Sequence, residues 1–249
     1  MSTQLILVPG LLCDATVWQH QVAALSGDAE IRVAENGACE SLGAMAEAII
    51  ATAPPRFRIA GHSMGGRVAL EVLRRVPERI EAIALMDTGY QPLAAAEAGE
   101  RERAGRLRLV AKARELGMRA MGFAWLQGMV HPRRLSDAML VAGILDMIER
   151  RTPDYYAAQT RALLERPDAT ALLGSIACPA LVLCGYEDGW SPLERHRRLA
   201  ALIPGATLSI VPDCGHMSTL EQPEAVSAAL RTWLAAEPAH RSPPVPRLA

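Results

Sequence analysis

The stretch Arg56-Phe57-Arg58-Ile59-Ala60-Gly61-His62-Ser63-Met64-Gly65-Gly66-Arg67-Val68-Ala69-Leu70 decides the fold. Arg56–Ala60 reads as a short strand and Met64–Val76 as a helix. Gly61-x-Ser63-x-Gly65 must therefore turn the chain within a few residues. So tight a turn forces Ser63 into a strained backbone conformation and leaves room only for small residues at 61 and 65. It lifts the Ser63 hydroxyl over the carboxyl edge of a sheet. It also sets the Met64 N–H beside that hydroxyl at a helix N-terminus, where negative charge is favoured.

The strand–helix rhythm extends on both sides of this turn. Apolar runs at Leu5–Val8, Ile31–Glu35, Ile80–Asp87, Ala180–Cys184 and Thr207–Val211 suit strands buried on both faces. Helical patterns at Val17–Leu25, Leu42–Ala53, Pro192–Leu202 and Pro223–Ala235 alternate with them, which predicts an α/β protein with a doubly wound, mostly parallel sheet. Ser41 is placed to cap the helix from Leu42, and Ser191-Pro192-Leu193-Glu194 reads as a capping box with proline at the first helical position. Between about Gln91 and Ala177 no strand-like run appears. Helical patterns follow one another there at Ala94–Glu115, Gly117–Met129, Asp137–Arg151, with Ser136 as its expected cap, and Pro153–Glu165. The predicted organisation is a core of residues 1–90 and 178–236, an all-helical cap of residues 91–177 inserted between two strands, and a disordered tail at 237–249 with four prolines in thirteen residues.

At 249 residues the chain fits one large α/β domain or two small ones and can bury a sizeable core. With 26 basic against 27 acidic side chains it lacks the surplus that a dedicated nucleic-acid or anionic-membrane binder needs. No stretch reaches the roughly 18 apolar residues of a membrane span. MSTQLILVPG shows no basic n-region or small-residue cleavage site, so a cytoplasmic location is expected. The cysteines (Cys13, Cys39, Cys178, Cys184, Cys214) are odd in number and lack a CxxC pair, which disfavours a disulfide framework or a zinc site.

A serine hydroxyl needs a base to become a nucleophile. His216, in Asp213-Cys214-Gly215-His216 just past the last strand, fills that role. His62 lies inside the turn and should point away, His20 and His196 read as surface, His131 falls in the insertion and His240 in the tail. The base needs a carboxylate to fix its tautomer. Asp188, after the strand ending at Cys184, is the first choice; Asp87, at the end of the strand before the insertion, is the rival, and Glu187 should face the other way.

The turn at Ser63, Gly185-x-x-Asp188 and Gly215-His216, in that chain order, resemble the α/β-hydrolase superfamily over about residues 4–235. The resemblance is to its small cofactor-free serine hydrolases with a helical lid: carboxylesterases, enol-lactonases and carbon–carbon hydrolases. It implies the triad Ser63, Asp188 and His216, no metal or other cofactor, and an oxyanion hole formed by the N–H groups of Leu11 and Met64. Pro9 stands where the family usually carries histidine, and proline cannot make that side chain's contacts in the loop. The implied activity is hydrolysis of a small or medium carboxylic ester, lactone or thioester through an acyl-enzyme, with a small-molecule substrate as the partner. The alternatives are proton abstraction with carbon–carbon cleavage or elimination by the same triad, and a slow-turnover ligand receptor on the same fold.

Arg67, in Ser-Met-Gly-Gly-Arg, either contacts an acidic substrate or braces neighbouring loops. Met121, Trp125 and Met139 belong to an apolar series in the insertion (with Met118, Phe123, Met129, Leu140, Ile144 and Met147) whose spacing suits core packing or an adaptable pocket. The arginines at 101, 103, 106, 108 and 114, interleaved with Glu97, Glu100, Glu102 and Glu115, read as a solvated, ion-paired helix face.

Overall fold

The computed structural model describes residues 2–236, so the expected disordered tail lies outside the described residues. Strands β1 (Gln4–Val8), β2 (Glu30–Val33), β3 (Phe57–His62), β4 (Ile80–Met86), β5 (Ala180–Gly185) and β6 (Thr207–Val211) form one sheet in the order β2-β1-β3-β4-β5-β6. All neighbouring pairs are parallel. Every residue of β3 and β5 is buried, whereas the edge strands β2 and β6 are partly exposed. Burial on both faces is why the central strands read as unbroken apolar runs. The exception in β3 is Arg58, whose guanidinium donates to the carbonyls of Trp233 and Leu234. It thereby brings a charged donor to carbonyls in the last turn of the last described helix.

The core helices are α1 (Gln19–Leu25), α2 (Leu42–Thr52), α3 (Met64–Arg75), α9 (Leu193–Leu202), the one-turn α10 (Ser218–Glu221) and α11 (Pro223–Leu234). α2 packs on α3 and α1 on α11. From β1 the chain crosses to β2 on one side, and after β2 it works outward through β3 to β6 on the other. With right-handed crossovers the direction of winding reverses between β1 and β3, and the crevice beyond their carboxyl ends is where ligands bind in such sheets.

Between β4 and β5 the described chain has no strand. It runs through α4 (Ala96–Leu116), α5 (Met118–Leu126), α6 (Ala138–Glu149), α7 (Pro153–Leu164) and the short α8 (Thr170–Leu173). α4 packs against both α5 and α7, and α5 against α6. Ion pairs tie this layer to the loops after β1 and β2: Arg150–Asp14 at 2.7 Å, Arg151–Glu35 at 3.0 Å and Arg161–Glu40 at 2.7 Å. None of the described helices is long and apolar enough to cross a membrane.

Two local expectations are corrected. Ser41 caps α2 through Ala44 N–H, but α6 is capped by Asp137, whose Oδ1 accepts from Met139 and Leu140, while Ser136 bonds back to Arg133. A carboxylate is the better acceptor for two amides at a positive helix end. No capping box forms at Ser191: α9 begins at Leu193, and the Ser191 hydroxyl donates instead to Thr88 O at 2.7 Å.

Candidate active site

β3 delivers Ser63 to the crevice. The turn is as tight as the glycines require: an added Cβ at Gly61 would lie 2.2 Å from the Gly65 carbonyl oxygen, and one at Gly65 would lie 2.1 Å from Val8 O. Ser63 has φ 55° and ψ −118°, a region disfavoured for a residue with a Cβ. The strain is held by Ser63 N–H donating to Met86 O (2.8 Å) and by Thr88 Oγ1 donating to Ser63 O (2.6 Å).

His216 follows β6, and its Nε2 lies 2.8 Å from Ser63 Oγ. Its Nδ1 lies 2.8 Å from Asp188 Oδ2. Asp188 Oδ1 accepts the amides of Trp190 and Ser191, both at 2.8 Å, so the carboxylate is anchored on one oxygen and presents the other. The sequence-predicted serine, histidine and first-choice aspartate thus meet as one chain of hydrogen bonds. Asp87, the rival, faces elsewhere: it accepts from Gly185 N–H (3.0 Å) and Ser218 Oγ (2.5 Å) and stands 3.6 Å from His62 Nε2.

The electrostatics separate the two carboxyls. Burial and the neighbouring Asp188 charge push Asp87 well above the usual carboxylate range. Burial also pushes Asp188 up, but the His216 charge and hydrogen bond, with the Ser191 and Trp190 amides, outweigh it and leave its pKa lowered. His216 is the complementary case. Burial disfavours its charged form, yet the Asp188 charge and hydrogen bond carry its pKa above the ordinary histidine value. His62 is driven down to about 4 by burial and by His216. It serves as scaffold, with Nε2 donating to His216 O at 2.8 Å.

The loop after β1 brings Gly10 and Leu11 against the turn, so close that a Cβ on Gly10 would lie 3.2 Å from Ser63 Cβ. Pro9 cannot supply the histidine contacts. Asn36 Nδ2 holds the Pro9 carbonyl at 2.8 Å, and Gln159 of α7 accepts Leu12 N–H at 2.9 Å while donating to Gly37 O. The N–H groups of Leu11 and Met64 make no hydrogen bond among the described residues, and both residues line the cavity that holds the Ser63 hydroxyl. That cavity has a volume of about 480 Å³ and is walled by Trp125, Met129 and Trp190 on the apolar side.

Of the other candidates, Arg67 and Trp125 line the cavity. Met121 is buried away from it, and Met139 stands 85 % exposed at the start of α6, so neither is placed to touch a ligand in the cavity. Met118, Met129, Ile144 and Met147 are buried like Met121, as core packing requires, but Phe123 faces solvent. The face of α4 is not wholly solvated: Arg106 and Glu102 turn into the cavity. His196, expected at the surface, is fully buried and accepts Thr88 N–H on Nε2 at 2.9 Å.

Sequence reasoning missed Glu221. Its buried carboxylate accepts the amides of His131 (2.7 Å), Gly215 (3.1 Å) and Met217 (3.0 Å), which fixes the loop on both sides of His216. The only signal was an acidic residue five positions past the histidine. Among the described residues one cluster offers metal-ligand atoms within 4.8 Å of one another, His131, Glu187 and Asp213, but Glu187 and Asp213 are exposed. Moreover, His131 Nδ1 is occupied by Arg133 N–H and Glu187 Oε2 by Cys214 N–H.

The sequence profile of the Alpha/beta hydrolase family matches residues 5–229. A pimeloyl-[acyl-carrier protein] methyl ester esterase from Nitrosomonas europaea is 26 % identical over 88 % of this chain and 91 % of its own length. A 2-hydroxy-6-oxononadienedioate/2-hydroxy-6-oxononatrienedioate hydrolase from Klebsiella pneumoniae is 28 % identical over 72 % of this chain. Against this and one further curated relative, the match spans 62 % and 32 % of their length. A thermophilic esterase from Thermogutta terrifontis superimposes with a TM-score of 0.83 at 27 % identity, covering 94 % of this chain and 90 % of that one.

Proposed function

The chain belongs to the alpha/beta hydrolase family, and within it we propose that it is a serine hydrolase of small or medium carboxylic esters. The observation that carries this reading is the unbroken relay Ser63 Oγ–His216–Asp188, at 2.8 Å in each link, opening on a cavity beside two amides with no acceptor among the described residues. His216 Nε2 takes the Ser63 proton as Oγ attacks the ester carbonyl carbon. The carbonyl oxygen becomes an oxyanion that accepts from Leu11 and Met64 N–H. His216 then returns the proton to the departing alcohol oxygen, leaving Ser63 acylated. Water repeats the sequence and frees the acid. Asp188 stabilises the imidazolium formed in both halves. α4–α7 act as a lid that narrows the entrance to the site. The ester-hydrolase relatives from Nitrosomonas and Thermogutta support the choice of an ester.

The test is covalent labelling and turnover together. A fluorophosphonate should label Ser63, a chromogenic short-chain ester should be hydrolysed, and Ser63→Ala should abolish both with its fold intact. Ester turnover retained in Ser63→Ala refutes the assignment. Labelling without ester turnover in the native chain moves the relay to carbon–carbon or lyase chemistry.

A further inference from the structure

The cavity holds more positive charge than its own carboxylates compensate. Arg67 of α3, Arg106 of α4, Arg166 after α7 and Arg195 of α9 all line it. Glu102 serves two of them, accepting Arg106 Nε at 2.9 Å and both terminal nitrogens of Arg166 at 2.8 Å. Arg101, also on the wall, pairs with Glu97. Asp188 is committed to His216 and two amides, and Asp87, held toward its neutral form, is committed to Ser218 and Gly185. That leaves Arg67 and Arg195 with no carboxylate within ion-pair distance among the described residues. Arg67 gives one N–H to Gln91 O at 2.8 Å, and Arg195 meets only Trp190 O and Ser191 Oγ, both at 3.3 Å.

Both side chains pass over the same bare piece of backbone. An added Cβ at Gly89 would lie 2.7 Å from Arg67 Nη2 and 3.2 Å from Arg195 Cδ. The absence of a side chain there leaves room for both arginines beside this backbone. Burial, and then the charges of Arg166, Arg195 and Arg106, bring Arg67 down to about 9. A guanidinium in such surroundings gains most from a planar anion that can take two of its N–H groups at once. Arg67 lies one helical turn beyond Ser63, a rise of about 6 Å along α3.

We infer that Arg67 and Arg195 form a carboxylate subsite, and that the ester attacked at Ser63 carries a second, free carboxylate a few bonds from the scissile carbonyl. The choice of an ester rests on the function proposed above; the subsite itself rests on the unpaired arginines. A monoester of a short dicarboxylic acid fits both features, with the ester carbonyl at Ser63 and the far carboxylate shared by the two guanidinium groups.

Two measurements test this. In Ser63→Ala, which cannot consume ligand, thermal-shift titrations use glutarate, neutral glutaramide and inorganic phosphate. Glutarate should raise the melting midpoint saturably and glutaramide should not. Arg67→Met and Arg195→Met, each added separately, should weaken the glutarate response by about tenfold or more, as expected for a lost charge-assisted pair. No response to glutarate, or a response kept in both arginine variants, overturns the subsite. A tighter response to phosphate than to glutarate overturns the carboxylate assignment. In the native chain monomethyl glutarate should exceed methyl valerate in kcat/KM by about tenfold or more, and Arg67→Met should bring that ratio toward one mainly through KM. Equal turnover of both esters overturns the subsite and leaves the esterase reading intact. Glutarate binding without turnover of either ester does the reverse.

Discussion

Replacing Asp188 by asparagine changes two atoms of the relay and little of its shape. The side-chain oxygen of the introduced amide would keep the Trp190 and Ser191 N–H groups, which now bond Oδ1 at 2.8 Å. Its NH₂ would then face His216 Nδ1, where Oδ2 stands at 2.8 Å. A donor in that place makes Nδ1 the acceptor and moves the ring proton to Nε2, the nitrogen that receives the Ser63 proton in the proposed mechanism. The wrong tautomer and the lost charge beside the imidazolium together predict a fall in kcat of about ten-thousandfold, or about 5 kcal/mol of transition-state stabilisation. Steady-state hydrolysis of a chromogenic ester measures it, with circular dichroism and the melting midpoint as controls on folding. Asp87→Asn, run beside it, should cost less than about tenfold, because Asp87 reaches Gly185, Ser218 and His62 but not the His216 ring nitrogens. The reasoning is refuted if Asp188→Asn retains activity within about tenfold of the native chain, or if Asp87→Asn matches its loss.

Further expectations follow from the same geometry. In the proposed mechanism His216 is a base only when neutral, and Asp188 carries its pKa above the ordinary 6.5, so kcat/KM should fall as pH drops through a midpoint above that value; a midpoint below 6.5 in a pH profile contradicts the role proposed for Asp188. Gly65→Ala would force its Cβ to within 2.1 Å of Val8 O, a clash with backbone that should cost about 3 kcal/mol or prevent folding, read by denaturant titration. Glu221→Ala strands three buried amides around His216 and should lose about 2–4 kcal/mol of stability; in the protein that remains folded it should lower kcat more than it raises KM.

Much of the fold was legible because its determinants are local. Strands buried on both faces must be apolar throughout, and a turn that brings Gly65 onto Val8 O admits no side chain, so β3, the turn and α3 are written in consecutive residues. Ser41 capping α2 is equally local, needing only a hydroxyl three residues from an amide. Where two local options competed, tertiary contacts chose between them. Ser191 had the sequence of a helix cap, but Thr88 O and the Asp188 carboxylate claimed its hydroxyl and amide. His196 had a surface pattern until the Thr88 amide needed a buried acceptor.

By itself the sequence determined the α/β class, the serine at the turn, and the chain order in which the candidate aspartates and His216 follow it, because periodicity and turn sterics act over a few residues. Only the tertiary structure decided which aspartate faces His216, how Asn36 and Gln159 hold the loop that contains Pro9, and that Arg67 and Arg195 share a cavity in which, among the described residues, neither has a carboxylate within ion-pair distance. Those outcomes depend on distances between strand ends that lie far apart in the chain. Charge and hydrogen bonding fall off over a few ångströms in space, whatever the separation in sequence.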